Sequence, residues 1–286
     1  MPEINIRQAT ASDAPAAGLI CYQAFHDINT AHNFPPDIPT PEAGVNLLTM
    51  MFSHPGVYCV VAEAGGRIIG SNCLDERSPI AGIGPITVET SAQNAGAGRK
   101  LMEAVIERSQ ARKFMGVRLL QAAFHNRSLS LYTKLGFDTR EPISTMSGPA
   151  IRKTIDGFHV RPACKADLEA CNRLSRKIHG HDRGGELADA SDQGTAKVVE
   201  RAGRITGYSS SMAFFGHSMG ETVEDLKALI STADSFGGPG ILVPTRNAAL
   251  FRWCLENGLR VVHPMTLMSM GIYQEPTGSY LPSILY

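Results

Sequence analysis

Three short segments of this chain occur twice, in the same order. Ile6-Arg7-Gln8-Ala9, followed by Asp13, recurs as Val160-Arg161-Pro162-Ala163, followed by Asp167. Gly66-Arg67-Ile68-Ile69-Gly70 recurs as Gly203-Arg204-Ile205-Thr206-Gly207, and Leu135-Gly136-Phe137 as Asn257-Gly258-Leu259. The spacing between copies shrinks along the chain, so the second copy has shorter connections. A repeat constrains the fold strongly, because both copies must be able to adopt it. The 286 residues then divide into two domains of ordinary size, 1–150 and 151–286, with Gly148-Pro149 at the junction.

The first copy reads as strands interleaved with helices. Ile4-Asn5-Ile6-Arg7 alternates as a strand, and Thr10-Ala11-Ser12-Asp13 supplies cap chemistry for an apolar-periodic helix through Phe25. Pro35, Pro36, Pro39 and Pro41 predict a loop or broken helix over 29–44. Strands over 57–63 and 67–73 flank the turn Ala64-Gly65-Gly66, and a further strand covers 83–88. A helix over about 98–113 puts Leu101, Met102, Val105 and Ile106 on one face. A strand over 117–124, a helix over 126–135 and a strand over 137–147 complete the series.

Charge and cysteine usage exclude several classes. Lys+Arg 27 against Asp+Glu 27 gives no net charge, which argues against a nucleic-acid or membrane-surface protein held by bulk positive charge. No apolar run reaches the length of a membrane span, and Met1-Pro2-Glu3-Ile4-Asn5 lacks a basic signal region. Cys21, Cys59, Cys73, Cys164, Cys171 and Cys254 form no Cys-x-x-Cys pair, so reduced thiols in a cytoplasmic protein are expected. His179-Gly180-His181-Asp182 lacks the spacing of a helical metal pair and reads as a mobile polar loop. No metal is expected.

Two segments carry chemistry. Gln93-Asn94-Ala95-Gly96-Ala97-Gly98, then Arg99-Lys100, lies between a strand and a helix. Its glycines let backbone approach a ligand, and the helix start offers free N–H groups to a phosphate. No Gly-Lys-Ser/Thr closes it, and Leu101 stands where a dinucleotide fingerprint needs its third glycine. In the second segment, His125 to Phe137, Asn126 or Ser128 suits a helix cap and Gly136 the helix end. Tyr132 has a phenol whose ordinary pKa near 10 keeps it protonated and able to act as a general acid.

In this order and spacing the two segments resemble the GNAT N-acyltransferase superfamily, over about residues 4–147. Gln93, Gly96 and Gly98 fit the family's phosphate motif, and Ser128, Leu131, Tyr132, Gly136 and Phe137 its following segment. His125 takes the place of the family's asparagine, with Asn126 one residue late. The resemblance implies an α/β (α+β) protein of two tandem GNAT-type domains, each a mixed, mostly antiparallel twisted sheet flanked by helices. It implies acetyl-CoA as co-substrate, held by Gln93 to Arg99 and by His125, Asn126, Ser128 and Tyr132, with the pantetheine along Ile86, Thr87 and Val88. A backbone N–H of that strand would stabilise the oxyanion, Tyr132 would protonate the leaving thiolate, and Glu89 is the nearest carboxylate for the base. The acceptor, a primary amine of a small molecule or peptide, would enter over the loop carrying His26, Asn29 and Phe34.

The second copy reads as degenerate. Aligned on the first, His217, Gly220 and Thr222 stand for Gln93, Gly96 and Gly98, and Cys254 for Tyr132. One acetyl-CoA per chain is therefore expected. Gly216-His217-Ser218-Met219-Gly220 matches a hydrolase nucleophile elbow, but only His263 follows it as a histidine and no oxyanion segment precedes it. The alternatives to an N-acetyltransferase are thus a non-catalytic acyl-CoA sensor and, less favoured, a serine hydrolase. The apolar end Leu281-Pro282-Ser283-Ile284-Leu285-Tyr286 is expected to pack on the first domain or a partner chain, which leaves a homodimer open.

Overall fold

In the computed structural model, which describes residues 3–286, one series of elements runs through the chain twice. The first pass is β1 (Ile4–Gln8), α1 (Ala14–Ala31), α2 (Pro41–Ser53), β2 (Val57–Ala64), β3 (Arg67–Asp75), β4 (Ile80–Ile83), β5 (Thr87–Val88), α3 (Ala97–Ala111), β6 (Gly116–Ala122), α4 (Asn126–Lys134) and β7 (Asp138–Ser147). The second is β8 (His159–Pro162), α5 (Leu168–His179), α6 (Gly184–Asp192), β9 (Lys197–Arg201), β10 (Arg204–Ser209), β11 (Ser218–Gly220), α7 (Val223–Ser231), β12 (Ile241–Pro244), α8 (Ala248–Glu256) and β13 (Arg260–Gly271). A last strand, β14 (Ser279–Leu281), has no counterpart. No helix among the described residues is long and apolar enough to cross a membrane.

The repeat extends to side-chain detail. Arg7 grips Asp13 with two nitrogens at 2.7 and 2.8 Å and reaches Glu63, while Arg161 grips Asp167 at 2.7 and 2.9 Å and reaches Glu200. Each aspartate also accepts the N–H of its cap residue, Thr10 or Cys164. One carboxylate thus closes a helix start and receives a guanidinium fork, which holds both aspartates well below the usual carboxylate range.

Three boundaries differ from expectation for identifiable reasons. Helix α1 runs past Phe25 to Ala31, and the loop shrinks to 32–40. Pro41 begins α2 because a first helical position needs no N–H donor, and Thr40 caps it by accepting from Ala43 N at 3.2 Å. The strand over 83–88 is broken at Gly84-Pro85, where Pro85 has no N–H to continue a ladder. His125 caps α4, rather than Asn126 or Ser128, by accepting from Ser128 N at 3.0 Å.

The sheets do not divide where the repeats do. The larger has the order β1-β2-β3-β4-β6-β13-β7-β12, with β5 paired to β3, and the smaller β14-β11-β10-β9-β8. Each copy's strand after its last helix lies beside the other copy's strand before it: β13 pairs with β6, β7 with β12, and β13 with β7 between them. Ile80 and Ile143 accordingly share a buried cluster with Phe214, Leu242, Met265 and Leu267. Residue 150 separates the repeats in sequence, while the core between them is common.

The C-terminal segment crosses the same boundary. Strand β14 pairs with β11 in the register Met219↔Tyr280. Leu285 then packs among Ala14, Cys21 and Leu48, and its carbonyl approaches Gly82 so closely that a Cβ there would lie 1.7 Å from the oxygen. The Tyr286 ring lies between the Arg118 and Arg183 guanidinium groups, at 4.0 and 4.7 Å, and its hydroxyl meets His181 Nε2 at 3.1 Å. The segment from His179 to Arg183, expected as a mobile polar loop, is instead a largely buried socket for the chain end.

That socket makes the fold acid-sensitive. Burial pushes His181 down to about 4, and His179 well below its ordinary value. The unfolded chain binds a proton at His181 below pH 6.5 that the folded chain refuses until about 4, so stability present above 6.5 is lost as pH falls between them. At pH 5 this amounts to roughly 2 kcal/mol from His181. Urea unfolding at pH 7.5 and pH 5 should show the loss, and His181→Phe should reduce the difference between the two.

Candidate active site

Strands β4 and β6 run parallel and pair only from Ile80↔Gly116 to Gly82↔Arg118. Beyond Gly82 the chain turns away to pair Thr87 and Val88 with β3, while β6 continues against β13. The gap holds a cavity of about 960 Å³, lined on one side by Ile83 to Val88 and on the other by Leu119 to Ala122. One edge of Thr87-Val88 therefore borders the cavity and lacks a neighbouring strand among the described residues.

The Gly-rich turn forms one rim. Asn94 and Gly96 take left-handed φ values of 68° and 90°, which curl the backbone ahead of α3. No side chain caps α3, so its first N–H groups, with the positive end of the helix dipole, have no acceptor from a cap residue. Gly98 faces the cavity, and a Cβ there would meet nothing nearer than 3.7 Å. Arg127 donates to Gln93 Oε1 and Gln93 Nε2 to Val88 O at 3.3 Å, which ties the turn to α4 and β5. This arrangement fits a pyrophosphate at the helix start and an extended amide chain along β5.

Tyr132 stands on α4 with its ring packed against Phe137, 7% exposed, and lines the cavity. Its hydroxyl has no hydrogen bond among the described residues, and burial raises its pKa above the ordinary 10. His125 is lowered by burial; its Nδ1 accepts the Ser128 N–H, which suits the neutral ring.

Most residues expected at the coenzyme site line this cavity: Ile86, Thr87, Val88, Gln93, Asn94, Gly96, Gly98, Arg99, His125, Asn126, Ser128 and Tyr132. Ala95 and Ala97 do not, and Ala97, the first residue of α3, is buried in the core. Lys100 points away and donates to Ile4 O at 2.9 Å. Glu89 is not in the wall; its carboxylate accepts from Arg67 at 2.7 Å. Of the acceptor residues, Asn29 lines the cavity with its Nδ2 buried and unpartnered, while His26 and Phe34 lie outside it. Phe34 instead stacks on Phe124 at 4.4 Å between centroids.

Asp27 and Asp37 are the carboxylates in the wall, and of the two only Asp27 stands out in sequence, as a polar group of the acceptor loop. Asp27 accepts from Thr90 Oγ1 at 2.8 Å, which lowers its pKa. Asp37 Oδ1 meets Nε2 of His263, a fully buried histidine on β13, at 2.6 Å. Thr145 Oγ1 lies 3.3 Å from His263 Nδ1, and three phenyl rings (Phe34, Phe124, Phe214) pack around the imidazole. No local pattern could have revealed this pair, because its members are 226 residues apart.

In the second copy the pocket beside β12 and β14, lined by Pro244, Asn247, Ser279 and Tyr280, measures only about 280 Å³. β14 pairs with β11, whose counterpart β5 borders the cavity in the first copy, and Leu281 packs with Ile241 and Val243 of β12. The turn before α7 is shorter, and Asp225 accepts from Thr222 N at 2.8 Å, placing a carboxylate at the helix start. Ser218 is not at an elbow: it is buried within β11 and donates to Ser209 Oγ at 2.9 Å. His217 is held by Glu186 and Tyr208. No group of three or more potential metal ligands gathers among the described residues.

Residues 22–137 match the family profile described as acetyltransferase (GNAT) family. Among solved structures, a candidate acetyltransferase from Pyrococcus horikoshii matches 96% of this chain and 94% of its own at 18% identity and a TM-score of 0.74. A GCN5-related N-acetyltransferase from Sphaerobacter thermophilus matches 95% of this chain and 96% of its own at 17% identity and a TM-score of 0.62. No curated protein sequence matches. Both structural matches extend through the second copy, so the whole two-copy fold recurs in them. With its splayed strands, uncapped helix start and matched profile, the first copy carries a domain of the acetyltransferase (GNAT) family.

Proposed function

We propose that the chain transfers the acetyl group of acetyl-CoA to a primary amine of a small molecule by direct attack, using only the first copy's cleft. The observation that carries this reading is the placement of an uncapped, Gly-rich helix start and a buried, unpartnered phenol in the wall of one cavity. The N–H groups of the 96–99 turn hold the pyrophosphate, and the open edge of Thr87-Val88 holds the pantetheine amides.

In the reaction, the amine nitrogen bonds to the thioester carbon and the C–S bond breaks. A backbone N–H of the Ile86–Val88 segment donates to the oxyanion. Tyr132 gives its proton to the departing sulfur. The ammonium loses one proton before attack and one after; one goes to solvent by way of a carboxylate in the wall, and the other restores the Tyr132 phenol. Asp37 suits the first role better than Glu89, whose carboxylate is engaged by Arg67 outside the cavity.

Calorimetry should give one acetyl-CoA per chain; two sites would overturn the assignment of a closed second copy. Gly98→Glu places a carboxylate at the helix start where a side chain has room. It should weaken acetyl-CoA by about tenfold or more while leaving the melting temperature within a few degrees. An unchanged dissociation constant would remove the turn from the site.

A further inference from the structure

The cavity wall outside the two coenzyme motifs is built from three distant parts of the chain. Helix α1 and its following loop supply Asp27 and Asp37; the second copy supplies Phe214, Phe215 and Met265; the C-terminal segment supplies Ile284 and Leu285. Every basic residue in the wall, namely Arg99, His125, Arg127 and Lys134, belongs instead to the two coenzyme motifs. Outside those motifs the wall is thus mostly apolar, with two carboxylates, the Asn29 amide and no cation.

We infer that the acceptor is a small primary amine on an apolar body without a carboxylate, such as an arylalkylamine, and that the second copy and the chain end select it. This rests on the acetyl-transfer reading above. Thr90 holds Asp27 ionised, and buried His263 fixes the direction of Asp37, so negative charge awaits an ammonium in a set place. Phe214 and Phe215 face the body of the substrate with apolar surface, as do Ile284 and Leu285. Burying an apolar body there is worth about 25 cal/mol per Å². An amino acid of the same shape brings a carboxylate that meets no cation and faces two aspartates. A polyamine or aminoglycoside brings polar groups that find apolar wall. The physical role of the second copy is then clear: its own cleft is closed by β14, and the segment that closes it runs on to finish the acceptor wall of the first.

The test is thiol release from acetyl-CoA with phenethylamine, tryptamine, phenylalanine, tryptophan, spermidine, kanamycin and a peptide with an N-terminal phenylalanine, alongside calorimetric binding of acetyl-CoA. The arylalkylamines should exceed the matching amino acids in kcat/KM by about 100-fold or more. Phe215→Ser, at a side chain that is 37% exposed and so tolerant of change, should raise KM for phenethylamine about tenfold and leave acetyl-CoA affinity unchanged. Asp37→Asn should also raise that KM. Preference for an amino acid, a polar polyamine or the peptide, with acetyl-CoA bound normally, overturns this inference and leaves acetyl transfer standing. Absence of acetyl-CoA binding overturns both.

Discussion

Tyr132→Phe is expected to lower kcat by about 10² to 10⁴, with the dissociation constant of acetyl-CoA nearly unchanged. The substitution removes one oxygen from a buried ring that packs on Phe137, and that oxygen makes no hydrogen bond among the described residues. The fold therefore loses little, and the cost falls on the step in which the thiolate needs a proton. Burial raises the phenol's pKa, so it stays protonated throughout the neutral range and loss of activity through its ionisation should appear only above pH 10. Stopped-flow thiol release and acetyl-CoA calorimetry on the same variant separate the two quantities. A variant that binds acetyl-CoA and turns over at the parent rate would deny Tyr132 the role of acid. A parent chain that binds but releases no thiol with any amine would favour the sensor reading.

The second large effect concerns the chain end. Deleting residues 279–286 removes Tyr280, Leu281, Leu285 and Tyr286, all buried. At about 1.5–3 kcal/mol for each buried side chain, the loss reaches roughly 6–12 kcal/mol, comparable to the whole stability of an ordinary domain. The truncated chain should show no cooperative melting transition by circular dichroism. Polar groups would be stranded as well: Tyr280 Oη donates to buried Glu141 at 2.8 Å, and the Arg118 guanidinium, 1% exposed with two unpartnered nitrogens, would lose the Tyr286 ring that covers it. The milder Tyr286→Ala should lower stability by about 3–5 kcal/mol, as for other large aromatic truncations. A truncated chain melting within a few degrees of the full chain would show that the end is an accessory.

The Gly-rich turn and Tyr132 were legible in sequence because each is built from residues close along the chain. An uncapped helix start after a Gly-rich turn needs contiguous residues, and Tyr132 reaches the same cavity through one helix whose cap and end are adjacent in sequence. The rest of the cavity wall was not legible. Asn29 was found there, but His26 and Phe34 point elsewhere, and Asp37 takes its meaning from His263 on a strand of the other copy. Glu89 was nearest in sequence to the strand that borders the cleft, yet Arg67 on the adjoining strand draws its carboxylate away. Proximity along the chain says which residues can reach a site; cross-strand ion pairs decide which of them turn toward it.

The sequence by itself determined the order of elements, the repeat, the Gly-rich turn and the phenol, because each depends on interactions between residues close in the chain or on short copies of one pattern. The tertiary structure alone decided that β7 and β13 are exchanged, that β14 fills the second copy's cleft, and that the second copy and the chain end complete the wall of the first copy's cavity. Those outcomes depend on which apolar surfaces meet across more than a hundred residues. Hydrophobic burial is non-directional and leaves no local pattern to read, so only the packed chain shows where it was satisfied.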